Sequence, residues 1–417
     1  MRRAHKGTSG ARARGLILLA ALACAACKRE HAPSAAPDAS VSAVDAAAAP
    51  AATLTRPRTT SGAIAVDNLG AEISALDARA ADPASRVKLV SRLLSRAQFL
   101  GGVDDFARAE REALEAVKLA PTSADAHMAL AAVHAAVHRS ERAEASLARA
   151  AKLGAAAERV AQRRAELALA VGRYDDADAQ THDAGAGREG ARELTFRAVL
   201  AAHMQRMDAS ERLFALARER FDDVSPFLLA WMDVERAQVY ELTNRGELAR
   251  LYYAEACEVL PAYVHATVHL AAMEGPERAL ERLRALPSQE DPEVLGALAA
   301  AQARGGDAEG AGHTAELARA RYKQALEAFP EAFADHAARF YLTQDRSADH
   351  VAALELARAE AKRRRTVAAL DLWMGAATAT DSARDLCDSA TALLSLAHLD
   401  APRRVVAETA KKRCAAP

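Results

Sequence analysis

Three small positions recur every 34 residues through the first half of the chain, and no other feature limits its fold as strongly. Ala97, Ala109 and Ala116 are matched by Ala131, Ala143 and Ala150, and again by Ala165, Ala177 and Ala184. Alanine is abundant here, so agreement from larger residues carries more weight. Phe99, Val133 and Leu167 keep the same spacing, Leu119 matches Leu153, and Phe106 matches Tyr174 two units on. Within one period, residues 124–138 and 140–153 read as helices on either side of a polar hinge, Arg139, Ser140 and Glu141. Neither helix is apolar enough to stand alone in water, so such pairs must stack on their neighbours. Alanine at a crossing point lets two helices approach at the short end of the usual range of about 8–10 Å. A bulkier side chain there would overpack the contact, at roughly 1–3 kcal/mol.

A hairpin of this length has small residues at its eighth, twentieth and twenty-seventh places. Its hinge reads Gly172-Arg173-Tyr174-Asp175-Asp176-Ala177, and the first unit ends Lys118-Leu119-Ala120-Pro121, where proline stops the second helix. This pattern resembles the tetratricopeptide repeat. It departs at His127 and Ala161, where that family has a large aromatic, and at the eighth place, where alanine replaces glycine. The resemblance implies an all-α fold, a right-handed superhelical solenoid of antiparallel helix pairs. It also implies a concave groove lined by the second, fifth and ninth positions of each first helix. These are Ser91, Leu94 and Gln98, then Asp125, Met128 and Ala132, then Arg159, Gln162 and Glu166.

Residues 1–26 carry a basic start, the apolar run 16–23 and then small residues before Cys27. Such a run is too short to span a bilayer and reads as an export signal. Because cysteine follows the small residues directly, it resembles a bacterial lipoprotein signal with Cys27 lipidated; Cys24 is the alternative site, and an ordinary cleaved signal is the alternative reading. Lys28 then points to the outer membrane, with the body facing the periplasm; a soluble periplasmic or secreted protein is the other possibility. Residues 27–63, rich in Ala, Pro, Ser and Thr, bury too little to offset their ordering entropy and read as a flexible tether. A capping helix is expected over 64–85, regular repeats over 90–262, and degenerate repeats with a polar terminal cap over 263–414. Together they predict one elongated body, with a change of direction near Gly275.

Charged residues make up 27% of the chain with a formal net charge of −1, which removes any overall bias toward nucleic acid. The run Lys362-Arg363-Arg364-Arg365 stands out, and at a helix end it is expected to complement the macrodipole and keep a face solvated. No phosphate loop, nucleophile elbow, zincin motif or dinucleotide fingerprint occurs, so no cofactor is expected. His134/His138 and His265/His269 have i, i+4 spacing with His127 nearby, but neither pair has the third ligand a metal needs. Cys257 reads as a small buried residue. Cys387 and Cys414 lie almost symmetrically about the turn at residues 399–402, where antiparallel helices would bring them level for a disulfide in an oxidising compartment.

These features predict a non-catalytic scaffold that binds a protein or peptide partner in the bacterial cell envelope, held to the membrane by its lipid. Two other readings stand beside it. One is a structural subunit of an outer-membrane assembly or secretion complex. The other is an enzyme with its site in the atypical region 227–317, where Cys257, His265 and His269 are the only candidates.

Overall fold

The computed structural model describes residues 56–182 and 189–414, which form twenty α-helices and no strand. The export signal, both lipidation candidates, most of the tether and Ala184 lie outside the described residues. A single helix, α1 (Gly62–Asp77), precedes nine hairpins. Units 1 to 3 are α2 (Pro83–Leu100) with α3 (Val103–Leu119), α4 (Ala124–Ala136) with α5 (Ser140–Lys152), and α6 (Ala157–Ala170) with α7 (Tyr174–His182). Units 4 to 6 are α8 (Ala191–His203) with α9 (Met207–Glu219), α10 (Pro226–Leu242) with α11 (Gly246–Val259), and α12 (Val264–Ala272) with α13 (Pro276–Arg284). Units 7 to 9 are α14 (Pro292–Arg304) with α15 (Ala308–Ala328), α16 (Pro330–Leu342) with α17 (Ser347–Arg363), and α18 (Val367–Ala379) with α19 (Ala383–Leu394). Helix α20 (Ala401–Cys414) packs on α19 as a terminal cap.

The alanine period sits at the crossings, as close packing requires: Ala109, Ala116, Ala143, Ala150, Ala165 and Ala177 have no exposed surface. Phe99 and Val133 are equally buried, whereas Leu119 lies on the surface, so its match to Leu153 marks a helix end rather than a core contact. The cap is shorter than residues 64–85. Asp82 accepts from the backbone N–H groups of Ala84 and Ser85, and Pro83 occupies the first helical position, so unit 1 starts at residue 83 rather than 90.

Six of the turns inside hairpins share one backbone device. His138, Gly172, Gln205, Asn244, Gly306 and Asp381 adopt left-handed φ values of 50–85°. In each, the next residue donates its N–H to the carbonyl five residues back at 2.7–3.0 Å, which satisfies the helix end and reverses the chain. Four of the six are not glycine, so the left-handed residue is poorly marked in the sequence.

The body is not elongated. Later units stack on earlier ones as the next turn of the superhelix, with contacts between residues 188 to 194 positions apart, and hairpin turns of units 1 to 3 meet connections between later units. The Ser288 hydroxyl donates to the Leu100 carbonyl, and Gly102 N–H donates to Asp291 Oδ2 at 3.2 Å. Arg139 reaches Glu331 and the Ala328 carbonyl, both at 3.4 Å. Arg365 N–H donates to the Val171 carbonyl at 3.1 Å, and His398 Nε2 lies 3.0 Å from Asp175. Aromatic packing follows the same path, with the Phe99 ring 4.8 Å from both Phe227 and Tyr263. Within the basic run Arg364 belongs to this closure, whereas Lys362, Arg363 and Arg365 are exposed as a solvated face requires. Arg364 is only 4% exposed, pairs with Glu360 at 2.9 Å and donates to the Ala170 carbonyl at 2.9 Å.

Candidate functional site

The first helices of units 5 to 8 carry polar side chains that join into a continuous seam. On α10, Gln238 Nε2 donates to His265 Nε2 of α12 at 2.8 Å. His265 Nδ1 lies 3.8 Å from one oxygen of Glu293 on α14, whose other oxygen takes Nδ1 of His336 on α16. His336 Nε2 is 3.6 Å from Asp335. A parallel link joins His269 Nδ1 to Glu241 at 3.3 Å, and the Tyr253 hydroxyl donates to the same carboxylate at 2.6 Å. The two rings of α12, His265 and His269, stand 4.4 Å apart.

Burial alone would strip charge from these groups, and their pairing decides which keep it. Burial works against the His336 cation, but Glu293 and Asp335 outweigh it and push its pKa up to about 9. For Glu293 burial acts upward, yet His336 and His265 hold the carboxyl well below its usual range. Asp335 resists the same burial through His336 and Arg364 and falls to about 2. His265 goes the other way: burial, with the charge of His269 beside it, lowers its pKa. Asp291 is raised to about 6 by burial and by Glu293. The seam therefore holds one persistent imidazolium, His336, between carboxylates, and a neutral His265 next to it.

Of the nine groove positions expected from the repeat pattern, the structure exposes only part. Ser91, Leu94, Met128, Ala132 and Glu166 are buried, Gln98 and Gln162 are half-buried, and Asp125 and Arg159 are exposed. Helices α1 and α12 pack on α2, and Leu94 and Ala132 belong to the apolar core they share, which leaves Asp125 and Arg159 as a rim. On that rim Arg159 Nη1 donates to Asp125 at 3.0 Å from the equivalent place one period on, with side chains 56% and 63% exposed. Deeper in unit 3, Gln162 donates to Glu166 at 3.3 Å, and Arg163 pairs with the same carboxylate.

The histidines of unit 2 do not converge. His134 faces Ser146 at 3.4 Å, His138 Nδ1 faces the Glu331 carbonyl at 3.1 Å, and His127 Nε2 faces the Pro121 carbonyl at 3.2 Å. Among the described residues no group of three or more His, Cys, Asp or Glu is arranged to hold a metal ion. Cys257 is buried beside the Thr267 hydroxyl at 3.6 Å, and burial pushes its thiol up to about 11, which leaves it protonated at neutral pH. Cys387 and Cys414 form a disulfide that ties α19 to α20. The residues that sequence reasoning misses are Glu293, Asp335 and His336, which meet His265 only because the first helices of three successive units stack side by side.

No protein-family model matches the chain, and no curated protein matches it. Among solved structures it is similar to a chain of the APC/C hetero-tetramer Cut9-Hcn1, at 14% identity and a TM-score of 0.42 over 75% of this chain and 59% of that one. It is similar to yeast Tom70 at 14% identity and a TM-score of 0.32, covering 84% of this chain and 93% of that one. A third likeness is to the TPR domain of P58(IPK), at 16% identity and a TM-score of 0.23 over 80% and 98% of the two chains.

Proposed function

We propose that this chain is a non-catalytic protein-interaction scaffold, anchored in the bacterial envelope through a lipid on Cys27, with Cys24 as the alternative attachment site. The observation that carries the reading is the exposed rim of units 2 and 3. There Asp125 and Arg159 project from equivalent positions of two successive hairpins and form an exposed, paired polar patch that a protein segment could meet. The disulfide between Cys387 and Cys414 supports an exported protein, because such bonds persist in oxidising compartments. The candidates that the sequence offers for chemistry in region 227–317 are committed elsewhere: the Cys257 thiol is buried and protonated, and His265 and His269 face carboxylates.

A photoreactive residue at Gln162 should crosslink one protein in native envelopes. The doubly reversed variant D125K/R159E, which keeps the pair but inverts the presented charges, should lose that adduct. Adducts formed only from the outer helices, for example from Arg149, would favour the structural-subunit reading. The anchor is tested separately: C27A should release the protein from the membrane fraction, and C24A should not.

A further inference from the structure

We propose that Arg339 of α16 is a carboxylate-binding residue, which turns outward to grip an acidic side chain of the protein partner. The inference rests on the scaffold reading and gives one contact of that partner its chemistry. Arginines in this body grip acids with one edge of the guanidinium. Nε and Nη2 of Arg96 hold the two oxygens of Asp105 at 2.6 Å, those of Arg282 hold Glu274 at 2.9 Å, and those of Arg358 hold Asp385 at 2.7 Å. On Arg339 the same two nitrogens are buried and meet no hydrogen-bond partner among the described residues. A guanidinium is charged at any physiological pH and can only donate, so such an edge calls for an acceptor.

The neighbouring carboxylates are committed elsewhere. Asp335, one turn back on α16, accepts the His336 backbone N–H at 3.0 Å and lies 3.6 Å from Nε2 of that ring. Asp371 of α18 accepts Arg403 Nε at 2.7 Å. Both feel the charge of Arg339 without bonding to it. The other cations of the group have acids of their own: His336 has Glu293, Arg364 has Glu360, and Arg403 has Asp400 besides Asp371. Water reaches the seam beside Arg339, where the side chains of His336 and Glu293 keep 27% and 21% of their surface, and Arg339 is itself half-buried. Rotation about its terminal bonds swings the edge toward that opening and breaks no hydrogen bond of Nε or Nη2. A carboxylate suits the place better than a phosphate dianion, because Asp335 and Asp371 already put negative charge nearby.

Calorimetry of the full chain at constant ionic strength, with sodium acetate, the peptide acetyl-Gly-Glu-Gly-amide or sodium phosphate, tests the idea. The rise in Tm is read as the wild type minus R339Q, which cancels the general effect of each salt. Acetate and the peptide at about 50 mM should each give a difference of about 1–2 °C, and phosphate a smaller one. R339K keeps the charge but not the fork, and should lose most of the response. Without added anion, R339Q should melt no lower than the wild type, because the substitution removes no hydrogen bond of the buried edge. Four results would each overturn the proposal: no difference with acetate, a difference with acetate but none with the peptide, a larger one with phosphate, or an R339Q chain that melts clearly lower or fails to fold. The Gln162 adduct is read separately. If it persists while the acetate response is absent, the carboxylate site falls and the scaffold reading stands.

Discussion

The backbone N–H of Arg365 donates to the carbonyl of Val171 at 3.1 Å, joining the connection between units 8 and 9 to the hairpin turn of unit 3. One residue further along that turn, Gly172 has a φ of 84°, and a Cβ built on it would run into the Arg365 carbonyl well inside contact distance. Two requirements thus fall on one glycine, a left-handed backbone and a bare surface for the returning chain.

Gly172→Ala should therefore cost more than a left-handed alanine alone, which is roughly 1–2 kcal/mol. The crowded carbonyl adds about another 1–3 kcal/mol. Gly154 supplies the control, since its φ is 89° and nothing lies within 4 Å of its added Cβ. Urea unfolding should find G154A mildly weakened and G172A weakened by at least twice as much. Equal losses would mean that the two turns of the superhelix do not press together at this point.

The alanine period is legible in sequence because crossing points tolerate only small side chains, so selection for packing writes a regular mark. The rim residues Asp125 and Arg159 are legible for the same reason, as they inherit the period. The stacking of later units on earlier ones is not, because it depends on residues such as Arg364 and Asp291 whose partners lie in hairpins far away in sequence. A basic run at a helix end reads as solvated by local rules, and only the neighbouring turn shows that Arg364 is enclosed. The seam is hidden for a related reason. Unit lengths vary after residue 190, so counting from His265 does not lead to Glu293 or His336.

Closure at the far end is covalent. The disulfide encloses a separation of 27 residues, and opening it should cost about 3.5 kcal/mol by loop-closure entropy. Because α20 also holds Asp371 and the Leu242 carbonyl through Arg403, the loss should reach unit 5. Calorimetry of C387A/C414A should give a lower Tm, with hydrogen exchange quickened in α19 and α20 first. An unchanged melting profile would show that Arg403 and the apolar contacts suffice.

Stability should also respond to alkaline pH through His336. Its folded pKa of about 9 lies above the ordinary histidine value, so the folded state binds this proton more tightly than the unfolded chain does. The contribution is fully present below about pH 6.5 and is lost as pH rises through about 9, with a size on the order of 3 kcal/mol. Urea unfolding of the wild type at pH 6.0 and pH 9.5 should show that fall. H336Q should be weaker at both values and should lose most of the difference between them.

Arg139 and Arg206 occupy equivalent places after two left-handed turns, yet they should differ in worth. Each reaches back to an acid of the preceding unit: Arg139 to Glu110 at 2.7 Å and Arg206 to Asp178 at 2.8 Å. Arg206 is half exposed, and an ion pair in water is typically worth no more than about 1 kcal/mol. Arg139 is largely buried, lies over the Phe329 ring at 5.3 Å and also engages Glu331 across the closure. Removing it leaves two partly enclosed carboxylates short of a partner and an aromatic face uncovered. R139A should lose about 2–3 kcal/mol in urea unfolding, whereas R206A should lose less than about 1. If the two variants lose the same amount, the contacts between the halves contribute nothing measurable, and the stability of the body comes from stacking of adjacent hairpins alone.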